Sequence, residues 1–179
     1  PPHLFDLTTL QKEANRKHGF SADKTLSLAQ ALYEKKIISY PRTGSRYISE
    51  DVFETIPTLL HQLGITLSQP LNRHAVDDHR VTDHHALLPT GESPEGLSPE
   101  ETMLYQMILS RFIEAFAPNS EEERMQAELS DGTYRYSWRA THRLSLGWRA
   151  YSQDGGKDKA EATDDEEELL EQLPTLTEG

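Results

Sequence analysis

Apolar residues recur with helical spacing over the first 118 positions and then give way to alternation. In DLTTLQKEANRKHG, Leu7, Leu10 and Ala14 fall on one stripe, Asp6 or Thr8 stands where an N-cap belongs, and Gly19 supplies a stop. This predicts a helix from about Thr9 to His18. Ser21 opens SADKTLSLAQALYEKK, which places Leu26, Ala29, Leu32 and Tyr33 on one helical stripe and leads straight into Ile37-Ile38-Ser39-Tyr40. Pro41 biases Tyr40 toward an extended conformation and is expected to end that helix. Ser49 precedes EDVFETIPTLLHQLG, a third predicted helix with acidic residues in its first turn, Gly64 beyond its end, and Pro57 expected to kink or split it. Residues 65–97 are rich in Pro, Gly, His and Asp, carry only the short apolar patch Ala86-Leu87-Leu88, and read as loop. A capping box from Ser98 to Glu101, with Pro99 at the first helical position, then opens a helix presenting Leu104, Met107, Ile108, Phe112 and Phe116 on one face.

Beyond Pro118 aromatic and polar residues alternate around 126–129, 134–140 and 147–151, which predicts antiparallel strands with Asp131-Gly132 as a hairpin turn. The acidic low-complexity stretch at about 152–168 is expected to be disordered. The expected class is therefore α+β, with a helical unit over 1–118 and a partial β unit over 119–179 that needs more strands than the chain supplies.

Composition adds exclusions. With 179 residues the chain can bury a core. It has no Cys, so neither a disulfide framework nor a thiolate metal site holds it. Without a signal-like segment or an apolar run of membrane-spanning length, a soluble cytoplasmic protein with no membrane partner is expected. The net charge of -12 argues against a generic nucleic-acid binder, but its distribution is uneven. Between Lys24 and Arg46 five basic residues face one acidic residue, whereas 119–179 holds seven basic and fifteen acidic residues. The positive stretch brackets Tyr40.

The chemistry-bearing stretch is IISYPRTGSRY, residues 37–47. A free phenol is almost wholly protonated at neutral pH, so a nucleophilic Tyr40 needs a base or positive charge nearby. In an extended segment Arg42 faces the same side as Tyr40, about 6.6 Å along, and its planar fork suits phosphate oxygens. Thr43 and Ser45 offer neutral donors. An ordinary polar loop fits the same residues. A second cluster, HAVDDHRVTDHHALLPT, interleaves His74, His79, His84 and His85 with Asp77, Asp78 and Asp83. Its spacing matches no standard metal site, and solvated loop histidines, a single functional histidine or a metal site all remain open.

Three stretches in order, PPHLFDLTTLQKEAN, TLSLAQALYEKKIISYPRTGSRYI and TDHHALLPTG, resemble the type IA DNA topoisomerases, in particular their topoisomerase III branch. The resemblance is dense over about 1–118 and looser in LGWRAYSQ and LPTLTEG. It implies an ATP-independent isomerase that cuts one strand of single-stranded DNA, holds the 5′ phosphate on a tyrosine, passes another strand and reseals the gap. Tyr40 stands at the nucleophile's position, Arg42 at that of the arginine that positions the phosphate, and His84 at that of the active-site histidine. Lys36, Thr43, Ser45, Arg46 and His85 are expected as further DNA contacts. The family motif usually has Asp-Ser after the threonine, where this chain has Gly44-Ser45. The implied fold is a mostly helical, winged-helix-like (CAP-like) tyrosine domain of a four-domain toroid, here with part of the neighbouring β domain. Mg²⁺ belongs to the acidic TOPRIM domain of the full-length enzyme, whose Asp-x-Asp-x-x-x-Glu pattern this sequence does not contain. The chain is accordingly expected to be a central fragment that binds no metal of its own and is inactive when isolated. Its parent is expected in the bacterial nucleoid, with a helicase as a partner.

Overall fold

The computed structural model describes residues 1–152, apart from Thr82 and Asp131. Four helices, α1 (Leu7–His18), α2 (Ala22–Glu34), α3 (Glu50–Gln62) and α4 (Pro99–Phe116), precede an antiparallel hairpin of β1 (Glu121–Ser130) and β2 (Arg135–Ser145). The class is α+β. Short 3₁₀ turns lie at Asp78–Arg80 and Gly147–Tyr151, and the acidic stretch expected to be disordered falls outside the described residues except at its first position.

The helix starts follow local chemistry. Asp6 caps α1 through a box in which its carboxylate accepts from the Thr9 amide at 2.6 Å, so Asp6 rather than Thr8 is the cap. Ser21 accepts from the Lys24 amide, and the Ser98–Glu101 box opens α4 with Pro99 at its start. Pro57 neither splits α3 nor ends it; its side chain is exposed, and the helix runs unbroken from residue 50 to 62.

The apolar residues form two packed clusters. Leu4, Ile48, Ile56, Leu60, Leu88, Phe112 and Phe116 make one, and Phe5, Leu10, Ala29, Leu32, Ile38, Leu87, Leu104 and Ile108 make the other. Burying each of the Leu, Ile and Phe side chains contributes roughly 1.5–3 kcal/mol. Helix α4 feeds both clusters. So do two extended pairs, Leu4-Phe5 and Leu87-Leu88, whose members point to opposite sides as strand geometry requires. Phe5 and Leu87 form an antiparallel bridge, with the Leu87 amide donating to the Phe5 carbonyl at 2.9 Å. Ile38–Pro89 and Ile48–Val76 are the other isolated bridges. The loop of 65–97 is thus threaded between the helices by short backbone pairings.

The expected strand at 147–151 is a 3₁₀ turn instead. Gly147 has φ +50°, and a Cβ there would come within 2.2 Å of the Asn119 carbonyl oxygen. The Trp148 amide donates to the Pro118 carbonyl, and the Trp148 side chain packs against the first cluster beside α4. Tertiary packing therefore overrides the aromatic alternation. In the hairpin, β2 buries only Ala140. One face carries Met125, Tyr136 and Trp138, all exposed, while Arg135, Arg139 and Arg143 lie on the other. Both strands run longer than the alternation predicted, because the charged start of β1, Glu121 to Arg124, reads as surface rather than strand.

Candidate active site

The segment carrying Tyr40 begins at an unusual helix end. Helix α2 stops at Glu34, well before Pro41, because Lys36 adopts the left-handed conformation with φ 60°. The Lys36 amide donates to Tyr33 and the Ile37 amide to Leu32, which satisfies the last carbonyls of α2 and reverses the chain. Glycine normally fills that position, so the sequence carries no warning of it and Pro41 is not what ends the helix. Ile37 and Ile38 then enter the core, and the chain emerges at Tyr40.

From there exposure alternates. Tyr40, Arg42, Gly44 and Arg46 are exposed, whereas Pro41, Thr43 and Ser45 are buried. The period of two puts the phenol and both guanidiniums on one open face. Thr43 and Ser45, expected as donors to DNA, are turned inward. Thr43 Oγ1 donates to the His84 carbonyl at 3.1 Å, and Ser45 Oγ donates to the Arg80 carbonyl at 2.8 Å. They anchor the segment to the histidine loop, as does the Ala86 amide on the Tyr47 carbonyl, while the Leu7 amide on the Thr43 carbonyl ties it to the start of α1.

That anchoring brings His84 to Tyr40. Their ring centroids lie 4.6 Å apart at 50°. Tyr33, expected in the core stripe of α2, is 44% exposed and also meets the Tyr40 ring, edge-on at 5.4 Å. Thr25 takes the buried place instead. Tyr40 itself is 37% exposed, in contact with both rings and open to solvent. His85, next in sequence, is half-buried with Nδ1 2.7 Å from the Ala86 carbonyl oxygen, so its ring serves the backbone.

Arg42 is held from α2. With its amide oxygen facing the guanidinium, Gln30 accepts from Arg42 Nε at 3.2 Å and from Nη2 at 2.9 Å. This contact uses one edge of the fork and leaves further donors for an anion. Gln30 and Tyr33 escaped the sequence reading. Their three-residue spacing, which places both on one helix face beside Tyr40, was the available signal.

The positive stretch is smaller than its sequence count suggests. Lys24 pairs with Glu100 at 2.5 Å and Lys35 with Glu101 at 2.8 Å, both acids belonging to α4. Lys35 and the Ser98 backbone hold the Glu101 carboxyl below its ordinary range. Lys36, Arg42 and Arg46 remain as exposed cations near Tyr40 in sequence. Among the described residues, no group of three His, Asp or Glu side chains is placed to hold a metal ion.

A family model described as "DNA topoisomerase" matches residues 1–179. The chain belongs to the DNA topoisomerase family. Among relatives, "DNA topoisomerase 3" of Shouchella clausii is 36% identical over 100% of this chain and 25% of its own length. "DNA topoisomerase 3" of Bacillus licheniformis is 37% identical over 99% of the chain and 26% of its own length. The full-length topoisomerase I of Thermotoga maritima superposes with a TM-score of 0.63 at 27% identity, covering 89% of this chain and 27% of that one. These relatives bear out the type IA topoisomerase III resemblance. The chain spans about a quarter of the length of the topoisomerases it matches.

Proposed function

We propose that this chain carries the strand-cleaving tyrosine of a type IA topoisomerase III and acts on single-stranded DNA. The observation that supports this reading most is the convergence on one open face of Tyr40, His84 at 4.6 Å and an Arg42 side chain held by Gln30. In this reaction Tyr40 Oη forms a bond to phosphorus as the bond from phosphorus to the 3′ oxygen breaks. The phenol gives up its proton and the departing 3′ oxygen takes one up, leaving a free 3′ hydroxyl and a 5′-phosphotyrosine; the reverse step reseals the strand. Arg42 positions the phosphate and offsets the charge of the transition state, and His84 supplies a donor beside the phenol. No ATP is consumed, because the phosphotyrosine conserves the energy of the broken bond.

The reading also places Mg²⁺ in the acidic domain of the whole enzyme rather than on this chain, a helicase among that enzyme's partners, and its work at the nucleoid. The isolated chain is then inactive in DNA relaxation, and relaxation of supercoiled plasmid by it alone would sink that part. The central test uses the full-length enzyme with a labelled oligonucleotide and a denaturing quench. A covalent adduct is expected from the wild type and from no Tyr40→Phe preparation. An adduct that persists in Tyr40→Phe overturns the assignment.

A further inference from the structure

The exposed row Tyr40, Arg42, Gly44, Arg46 leads to a second group of polar side chains drawn from three parts of the chain. His3 comes from the N-terminal segment, Tyr47 follows Arg46, and His74 and Arg80 come from the histidine loop. The His3 and His74 rings are stacked at 4.0 Å, and His3 and Tyr47 lie 4.8 Å apart. Arg80 Nη1 donates to the Tyr47 hydroxyl at 2.6 Å, and the same hydroxyl lies 3.5 Å from His3 Nε2. His3 Nδ1 is buried without a hydrogen-bond partner. Among the described residues nothing pairs with the Arg46 side chain.

We propose that Arg46, Arg80, Tyr47, His74 and His3 form a phosphodiester subsite that holds the bound strand beyond the phosphate at Tyr40. The proposal rests on the reading above that a single strand lies along the exposed row.

The charge balance supports it. Asp77 pairs with Arg80 Nε at 3.2 Å, and Glu50 takes Arg73. Arg111 of α4, which donates to the His3 carbonyl, is already matched by Glu13 and Glu114. That leaves Arg46 as an uncompensated cation beside two neutral imidazoles. Burial first, then the charges of His74, Arg46, Arg80 and the Pro1 amine, push His3 down to about 4. Burial also lowers His74. Repulsion of this kind is relieved by an anion, so a bound phosphodiester draws a proton toward His3. Binding then tightens as pH falls, and the proton reports occupancy directly.

The test is a histidine NMR titration of the 179-residue chain with dimethyl phosphate and, separately, with a short thymidine oligonucleotide. Resonances of His3 and His74 read the subsite, and those of His84 read the site at Tyr40. The oligonucleotide is expected to shift all three and to raise the His3 titration midpoint by about one pH unit. Arg46→Gln, exposed and therefore safe for the fold, is expected to abolish the His3 change while leaving that at His84. Movement of His84 with His3 and His74 unmoved overturns the subsite and leaves the proposed function standing. Silence of all three at millimolar oligonucleotide overturns the subsite and removes support from the strand path it rests on. Response to dimethyl phosphate but not to the oligonucleotide means an adventitious anion only, and also overturns the subsite.

Discussion

The Thr43 hydroxyl donates to the His84 carbonyl at 3.1 Å, and this bond ties the segment bearing Tyr40 to the loop bearing His84. The same hydroxyl accepts from the Ser45 amide at 3.1 Å. Thr43→Val keeps the shape but leaves the partly buried His84 carbonyl and the buried Ser45 amide without this partner. A loss of about 1–3 kcal/mol is expected, together with a looser pairing of Tyr40 and His84. Denaturant unfolding and the His84 NMR line width check this, and Thr43→Ser is expected to restore both.

Gln30 offers its effect through Arg42. In Gln30→Leu the guanidinium loses its bidentate partner on α2. Cleavage by the full-length enzyme is expected to fall about tenfold or more, since misplacement of a positioning group by 1 Å can cost about 10²-fold. Gln30→Glu keeps an acceptor in place and is expected to recover part of the rate in the same adduct assay. Equal rates for Gln30→Leu and wild type would show that Arg42 is positioned otherwise.

Two glycines should respond oppositely to a side chain. Gly44 has open space where a Cβ would go and no positive φ, so Gly44→Asp is expected to change stability by no more than about 0.5 kcal/mol. Gly147→Ala meets the Asn119 backbone in a left-handed conformation and is expected to displace the turn that seats Trp148. Thermal unfolding of the pair, followed by Trp fluorescence, separates the two cases.

Arg111 ties the N-terminal segment to α4. Its guanidinium lies over the Phe5 ring at 4.1 Å, donates to the His3 carbonyl, and pairs with Glu13 and Glu114 while only 16% exposed. Arg111→Met takes the guanidinium from both acids and leaves Glu114 with only Lys17 and Ser152 to favour its charged form. Burial already pushes the Glu114 carboxyl up, and without Arg111 it rises further. The expected destabilisation is about 3–5 kcal/mol, as for breaking one side of a buried pair, read as a lower denaturant midpoint.

His3 also makes the fold sensitive to acid. Its folded value of about 4 lies below the ordinary 6.5, so the folded state binds fewer protons than the unfolded chain. The associated stability is complete above about pH 6.5 and is lost as pH falls toward 4. His3→Phe, which keeps a ring against His74, is expected to flatten that part of the stability curve. An unchanged acid limb in His3→Phe would assign the sensitivity to other groups.

Local chemistry determined much of this protein. The caps at Asp6, Ser21 and Ser98, the apolar face of α4 and the motif around Tyr40 are short-range patterns, each written within a few residues, so they are legible without a fold. What only the tertiary structure decided is long-range. The left-handed turn at Lys36, the inward turn of Thr43 and Ser45, the grip of Gln30 on Arg42, the neutralisation of Lys24 and Lys35 by α4, and the 3₁₀ turn at Trp148 all depend on partners distant in sequence or on local packing. Periodicity cannot report them, because it records which residues are apolar and not which carbonyl, acid or ring the folded chain brings against them.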